Sequence, residues 1–288
     1  MRVLILGGDG MLGHQLLRQF APHHETRVTL RRPISDYAAF GLFTEGNAYD
    51  RIELSNADAL TPVLAGFKPQ AVINAIGIVK QRPTAEETIP SLEINALLPH
   101  RLAILCGEIG ARLVHISTDC VFSGRKGGYR EEDPSDAEDL YGRTKYLGEL
   151  HEASCLTLRT SMVGLELSRK TGLVEWFLAQ RGTIRGYRNA IFSGFTTLEL
   201  ARIIETLLTR FPAAAGLYHV SSAPISKFDL LSLIKKRLGL AVEIAPYDDF
   251  RCDRSLNSHR FQSEFGYRAP EWPVMVDELA KQLQETPR

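Results

Sequence analysis

The stretch that decides the fold is Arg2-Val3-Leu4-Ile5-Leu6-Gly7-Gly8-Asp9-Gly10-Met11-Leu12-Gly13. Arg2–Leu6 reads as a buried strand, and Met11–Phe20 as a helix with Leu12, Leu16 and Phe20 along one face. Between them Gly7, Gly10 and Gly13 are spaced GxxGxxG. One glycine permits the tight turn, and a loop without side chains lets backbone approach a pyrophosphate. The last glycine lets the helix pack close to the sheet, its N-terminus turned toward the phosphates. An ordinary strand-to-helix turn can also be rich in glycine. Position on the first strand favours a dinucleotide site.

Working outward, Arg27–Leu30 reads as a second strand. Ile52–Leu54 is a weaker third, with Ser55 placed to cap a helix running toward Gly66. Ala71–Ile76 is a fourth strand, Leu92–Ile109 a helix and Leu113–Ser117 a fifth strand. Asp139–Glu152 reads as a helix and Cys155–Thr160 as the next strand. Strands separated by helices predict parallel βαβ units, hence an α/β fold with a doubly wound parallel (Rossmann) sheet. After Gly164 the rhythm changes. Leu173–Ala179, Leu198–Leu208 and Phe228–Leu238 read as helices, and Gly216–Val220 and Val242–Ala245 as strands. Gly124–Asp136 is expected to be an exposed loop. The expected division is a dinucleotide-binding domain over 1–165 and a smaller α/β substrate-binding region over 166–288, allowed to interleave with the first.

Composition excludes several classes. The chain has 288 residues, of which 44% are hydrophobic and 24% charged, an ordinary globular balance. Lys and Arg number 34 and Asp and Glu 34, so there is no net field to hold a polyanion, which argues against a nucleic-acid partner. The longest apolar stretch, Ala71–Val79, is interrupted by Asn74 and Gly77 and cannot cross a bilayer, so no membrane partner is expected. Val3–Leu6 is far shorter than a signal-peptide core. Cys106, Cys120, Cys155 and Cys252 form no CxxC pair and have no paired-histidine spacing. Neither a disulfide framework nor a metal site is expected, and a cytoplasmic location follows.

The second strand ends Thr29-Leu30-Arg31-Arg32-Pro33, with no carboxylate for a ribose 2′-hydroxyl. Arg31 and Arg32 suit a 2′-phosphate and favour NADPH over NADH, although two arginines in a solvated turn have the same appearance. Tyr141-Gly142-Arg143-Thr144-Lys145 is a YxxxK motif. On a helix, positions four apart share a face, so phenol and ammonium can point into one site. A free phenol titrates near pH ~10, and a fixed cation pulls that value toward the working range. Ser117-Thr118-Asp119 follows the fifth strand, at the sheet edge where open α/β folds bind ligands, and a hydroxyl there can hold a carbonyl against Tyr141.

With these motifs in this order, the sequence resembles the extended short-chain dehydrogenases/reductases, most closely the dTDP-4-dehydrorhamnose reductase branch. The resemblance is carried by GGDGMLG at 7–13, NAIG at 74–77, EINALLPHRLA at 93–103 and STDCVFSG at 117–124. YGRTKYLGE at 141–149, LRTSMVG at 158–164 and GLYHVSS at 216–222 extend it. It implies reduction of the 4-keto group of a dTDP- or UDP-linked deoxysugar, with NADPH as hydride donor and NADH as the lesser choice. On the matching positions, Thr118 would hold the carbonyl oxygen, Tyr141 would donate the proton, and Lys145 would hold the nicotinamide ribose and lower the Tyr141 pKa. Gly7, Gly10, Met11 and Leu12 would line the pyrophosphate, Arg31 and Arg32 the adenosine phosphate, and Asn74, Ala75 and Gly77 the adjoining cofactor wall. Asn95 would be supporting structure.

Departures from the family pattern touch the substrate. The related dehydratases carry Glu directly after Thr-Asp, where this chain has Cys120. Rhamnose reductases usually place Trp after Arg-Thr-Ser, and here the residue is Met162. Ile78-Val79-Lys80-Gln81 looks more like enzymes acting on UDP-linked acetamido sugars, with Lys80 either in reach of sugar or diphosphate or solvated. Arg181, Arg185, Arg188 and Tyr187 fit either a diphosphate lining or a solvated charged loop, and His219 fits a core histidine. Two alternatives stay open: an epimerase that retains NAD, and a non-catalytic dinucleotide-binding regulatory subunit, since the β subunit of methionine adenosyltransferase resembles the same branch. A homodimer is compatible with every reading.

Overall fold

The computed structural model describes residues 1–55, 57–79 and 87–285. Strand β1 (Arg2–Leu6) leads into helix α1 (Gly13–Phe20), followed by β2 (Glu25–Thr29), β3 (Ala48–Tyr49), α2 (Thr61–Phe67) and β4 (Ala71–Asn74). Then come α3 (Thr88–Ser91), a π-helical turn (Leu92–Leu97), α4 (Leu98–Glu108), β5 (Arg112–Thr118), α5 (Leu140–Leu147) and β6 (Cys155–Thr160). The remainder is β7 (Met162–Val163), α6 (Leu173–Leu178), β8 (Thr183–Phe192), β9 (Phe195–Thr196), α7 (Thr197–Arg210) and β10 (Gly216–His219). After these follow β11 (Ile225–Ser226), α8 (Lys227–Leu238), β12 (Glu243–Asp253), α9 (His259–Phe265) and α10 (Trp272–Glu285).

Seven strands form one sheet in the order β10-β6-β5-β4-β1-β2-β3, giving the doubly wound parallel fold read from the sequence. β1 lies between β2 and β4 and pairs in parallel with both, so the strand order reverses beside it. Such a reversal opens a crevice at the carboxyl ends of the strands. Val3, Leu4, Ile5 and Leu6 have no exposure, nor do Ala71, Val72 and Ile73. Strands covered on both faces are apolar throughout, which is why these runs were legible.

The chain forms two compact units: 1–117 with 138–158 and 201–217, and 118–137 with 159–200 and 218–288. The core of the first joins Leu4, Leu6 and Val72 of the sheet to Leu64 and Phe67 of α2 and Leu98 and Leu102 of α4. Ile52–Leu54 is not a strand. The third strand is Ala48–Tyr49, while Leu54 is a buried loop residue of this core. The N-cap of α2 is Leu60, which makes no side-chain cap hydrogen bond, so Ser55 does not serve that role.

In the second unit β8 pairs with β11 and β12 in a three-stranded sheet. Of the residues expected in a diphosphate lining or charged loop, Arg185, Tyr187 and Arg188 lie inside β8, and Arg181 precedes it. The buried face of β8 is made by Gly186, Ala190 and Phe192, and the two small residues hide the usual alternation of large apolar side chains. A Cβ at Gly186 would lie 2.5 Å from Phe228 and from Ile244, so α8 and β12 pack directly onto the strand backbone. Gly124–Asp136 carries no helix or strand, but it is not simply exposed. Tyr129 is 2% exposed and stacks on Phe122 at 4.1 Å and 9°.

Candidate active site

In the first unit the glycine loop is built from backbone. Gly7 has φ +82°, and its carbonyl accepts the Gly10 N–H at 3.0 Å. A Cβ at Gly13 would lie 2.0 Å from the Gly7 oxygen, so α1 can begin this close to the strand only with glycine there. At Gly10 a Cβ would meet only the Gly7 oxygen, at 3.2 Å, which leaves the outer side of the loop open. The His14 ring nitrogen Nδ1 donates to the Gly10 carbonyl at 2.8 Å and fixes the turn. Met11 is half-buried and Leu12 buried. An open, side-chain-free cradle at a helix start fits a dinucleotide pyrophosphate.

Arg31 and Arg32 follow β2 and are exposed. Arg32 lies 5.5 Å over the Tyr37 ring and 3.9 Å from Asp36. Tyr37, 1% exposed, donates to Asp9 Oδ2 in the glycine loop at 3.0 Å. Burial and then Asp9 hold its phenol above the usual value. This Tyr37–Asp9 tie links the arginine turn to the glycine loop, and no motif announces it.

Where β4 ends, Asn74 is fully buried. Its Nδ2 donates to His115 Nδ1 at 3.1 Å and its Oδ1 accepts the Ile76 N–H at 3.2 Å, so the side chain shapes the turn that leads to Gly77. Ala75 and Gly77 are half-buried, and the Ala75 N–H reaches the Leu6 carbonyl at 3.3 Å, beside the glycine loop. Lys80 lies outside the described residues. Asn95, in the π-helical turn, accepts from Ile78 N–H at 2.9 Å and donates to Ile78 O at 3.0 Å and Thr144 Oγ1 at 3.2 Å. It clamps that loop to α5, the supporting role expected of it. Gly148 seals the joint, since a Cβ there would lie 2.0 Å from the Asn95 carbonyl.

Helix α5 begins at an Asp139 cap that accepts the Gly142 N–H at 2.8 Å, and it carries Tyr141 and Lys145 one turn apart. Tyr141 is half-buried. Lys145 is 3% exposed, and its Nζ donates to the Ile116 carbonyl of β5 at 2.7 Å. Burial pushes the ammonium down to about 8, with Glu149 acting in the opposite direction. Glu149 is itself buried and accepts from Ser117 Oγ at 2.6 Å. That Ser117–Glu149 pair was missed; its only sequence signal was a glutamate four residues beyond the lysine.

The second unit begins with Thr118, 7% exposed, at the carboxyl end of β5. Thr118 Oγ1 accepts the Cys120 N–H at 3.1 Å and donates to Asp119 Oδ1 at 3.2 Å. Asp119 is buried. Desolvation raises its carboxyl above the ordinary value, while Arg254 and hydrogen bonds from Cys120, Ser161 and Thr118 pull it down. Met162, directly after Ser161, is half-buried in β7 and registers with Phe195 of β9. His219 is fully buried in this unit. Its Nε2 faces Arg159 Nη1 at 3.1 Å and its Nδ1 donates to the Tyr129 carbonyl at 3.0 Å, a core histidine pushed down to about 3 by burial and then by Arg159. Arg254 Nε donates to the Phe122 carbonyl at 2.7 Å. All four cysteines are free thiols. Among the described residues no helix is long and apolar enough to cross a membrane.

The doubly wound sheet, the glycine cradle and the Tyr-Lys helix seated on β5 define an extended short-chain dehydrogenase/reductase. The chain belongs to the RmlD substrate binding domain family, which it matches over residues 1–285. It is 27% identical to dTDP-4-dehydrorhamnose reductase of Escherichia coli (strain K12), covering 99% of each chain. It is also 27% identical to the spore coat polysaccharide biosynthesis protein SpsK of Bacillus subtilis (strain 168), over 99% of this chain and 97% of that one. Among solved structures, dTDP-4-dehydrorhamnose reductase of Bacillus anthracis str. Ames in complex with NADP is similar at a TM-score of 0.79 and 24% identity, over 98% of this chain and 99% of that one.

Proposed function

We propose that this protein is an NADPH-dependent reductase of the 4-keto group of a dTDP- or UDP-linked deoxysugar, with NADH the weaker donor. The observation that carries the reading is Lys145: a buried ammonium one helical turn from Tyr141, held on the carbonyl of Ile116 in the strand that ends in Thr118. A cation buried without a task is costly, and this one sits where a phenol needs a field. The backbone cradle at Gly7, Gly10, Met11 and Leu12 would hold the pyrophosphate, Arg31 and Arg32 the 2′-phosphate, and Ala75 and Gly77 the adjoining wall, with Asn74 shaping that wall from beneath. NADPH bound there supplies the hydride. Thr118 would hold the keto oxygen, and Tyr141 would pass its phenolic proton to that oxygen as it becomes a hydroxyl. Lys145 would hold the ribose, and its charge would favour the phenolate left behind. Met162 would face the sugar. Cys120, in place of the dehydratase acid, supports reduction rather than water elimination. We place the enzyme in the cytoplasm.

The test mixes purified protein with NADPH and a panel of dTDP- and UDP-linked 4-keto sugars and follows loss of NADPH absorbance. Consumption with at least one donor is expected. Tight NADPH binding without consumption of any donor would overturn the proposal in favour of a regulatory subunit. NAD that copurifies and does not exchange would overturn it in favour of an epimerase.

A further inference from the structure

The turn after β2 holds its two arginines differently. Both are exposed, and Arg31 has no ion pair or ring contact among the described residues. Arg32 lies 5.5 Å over the ring of Tyr37 and 3.9 Å from Asp36. Asp36 and Tyr37 belong to a short 3-10 helix, Ile34–Phe40, whose Ile34 N–H donates to Asp50 Oδ2 at 2.9 Å. The Tyr37 ring is 1% exposed and meets Phe43 edge-on at 5.4 Å and 76°. Its hydroxyl donates to Asp9 Oδ2 at 3.0 Å, 28 positions back in the glycine loop. That loop is also tied to the end of β2, by the Gly7 N–H to Thr29 Oγ1 at 3.2 Å and the Gly8 N–H to the Thr29 carbonyl at 2.9 Å.

An exposed arginine gives up rotamer freedom when it grips a phosphate. A guanidinium already seated on a fixed ring gives up less, and it presents its donors in one plane. The hydroxyl matters for a second reason. A dinucleotide phosphate carries two anions a fixed distance apart, so a seat for one must not drift relative to the cradle for the other. We propose that Tyr37 is a positioning residue for the cofactor: its ring seats Arg32 for the 2′-phosphate, and its bond to Asp9 fixes that seat relative to the loop that cradles the pyrophosphate. NADPH is thereby selected through Arg32. The proposal rests on the NADPH part of the reading above and needs no sugar for its test.

The experiment measures Kd for NADPH and for NADH by cofactor fluorescence in wild type, Tyr37→Leu, Tyr37→Phe, Arg31→Ala and Arg32→Ala, and in Tyr37→Leu combined with each alanine variant. Tyr37→Leu removes the seat and is expected to lower the NADPH-over-NADH affinity ratio about 10-fold, the scale of one charge-assisted hydrogen bond. Tyr37→Phe keeps the ring and loses the tie, and is expected to lower the ratio about 3-fold. Because Tyr37 acts through Arg32, Tyr37→Leu should change the ratio no further in an Arg32→Ala background, yet keep its effect in Arg31→Ala. A tyrosine that serves stability alone would weaken both cofactors together at an unchanged ratio, which would overturn the proposal. Additive effects of Tyr37→Leu and Arg32→Ala on the ratio would overturn it as well. Should the leucine variant not fold, the phenylalanine variant decides, and a wild-type ratio there would overturn the proposal. Wild type that binds NADH as tightly as NADPH would overturn the proposal while the reductase reading stands with NADH as donor. Wild type that binds neither would overturn both.

Discussion

Lys145 in the first unit and Arg159 in the second are each 3% exposed, yet they are accommodated by different means. Lys145 donates to the Ile116 carbonyl, has Glu149 four residues on, and is pushed down to about 8, within reach of neutral pH. Arg159 lies 5.3 Å over the Phe122 ring and donates to His219, and it is the histidine that gives up its charge. A lysine yields its proton when desolvated; an arginine does not. One buried cation is therefore tunable and stands beside a phenol. The other is permanent and holds together Phe122, Tyr129 and β10.

The largest effect should come from Tyr141, one helical turn from the tunable cation. Tyr141→Phe is expected to keep NADPH affinity while kcat falls at least ~100-fold, the usual scale for a lost general acid. Steady-state kinetics beside cofactor titration checks this, and an active phenylalanine variant would mean that Lys145 is buried for another reason. The permanent cation should act on stability instead. Arg159→Met is expected to destabilise by about 2–4 kcal/mol, from the lost stacking and from His219 left without its donor. Urea unfolding measures it. A loss of turnover at unchanged stability would erase the distinction between the two cations.

Lys145→Met sharpens the contrast through sign. With a folded value of about 8 against the ordinary 10.5, the unfolded chain binds more protons between those pH values, so wild-type stability rises with pH across that window. Below about pH 8 the wild type carries the full cost of a buried charge. Lys145→Met should thus be more stable at pH 7 by roughly 1–2 kcal/mol, after allowance for the unpaired Ile116 carbonyl, and this advantage should vanish by about pH 10.5. A variant less stable than wild type at pH 7 would contradict this. The smallest effect belongs to exposed cations: Arg31→Ala with Arg32→Ala should cut the NADPH-over-NADH ratio in kcat/KM by about 10-fold, one charge-assisted contact's worth. An unchanged ratio would leave these arginines as surface charge.

How far the sequence reached follows the same divide. β1 over Arg2–Leu6 and β6 over Cys155–Thr160 have the bounds read from the sequence; in β1 the reason is an apolar run from Val3 to Leu6 with no polar interruption, as in a strand buried on both faces. β8 escaped notice because Gly186 and Ala190 face its interior. Most of β12 was missed as well, since its burial follows no simple alternation. The π-helical turn cannot be distinguished from α periodicity over six residues, and α10 was hidden behind Pro273, which a helix tolerates in its first turn. At the site, Tyr141, Lys145 and Thr118 belong to local motifs. Tyr37 with Asp9, Ser117 with Glu149 and Asp119 with Ser161 involve partners 28, 32 and 42 positions apart or depend on burial, and neither distance nor desolvation is written locally.

Carbonyl reduction by Tyr141 and Thr118 is tested most directly by one distance measurement. A crystal structure with NADP and a nucleotide-linked 4-hydroxy sugar should place Tyr141 Oη and Thr118 Oγ1 both within about 2.6–3.2 Å of the sugar O4, with the nicotinamide ring facing C4. If O4 lies beyond the reach of either oxygen while the sugar is held in place, carbonyl reduction by these residues is contradicted.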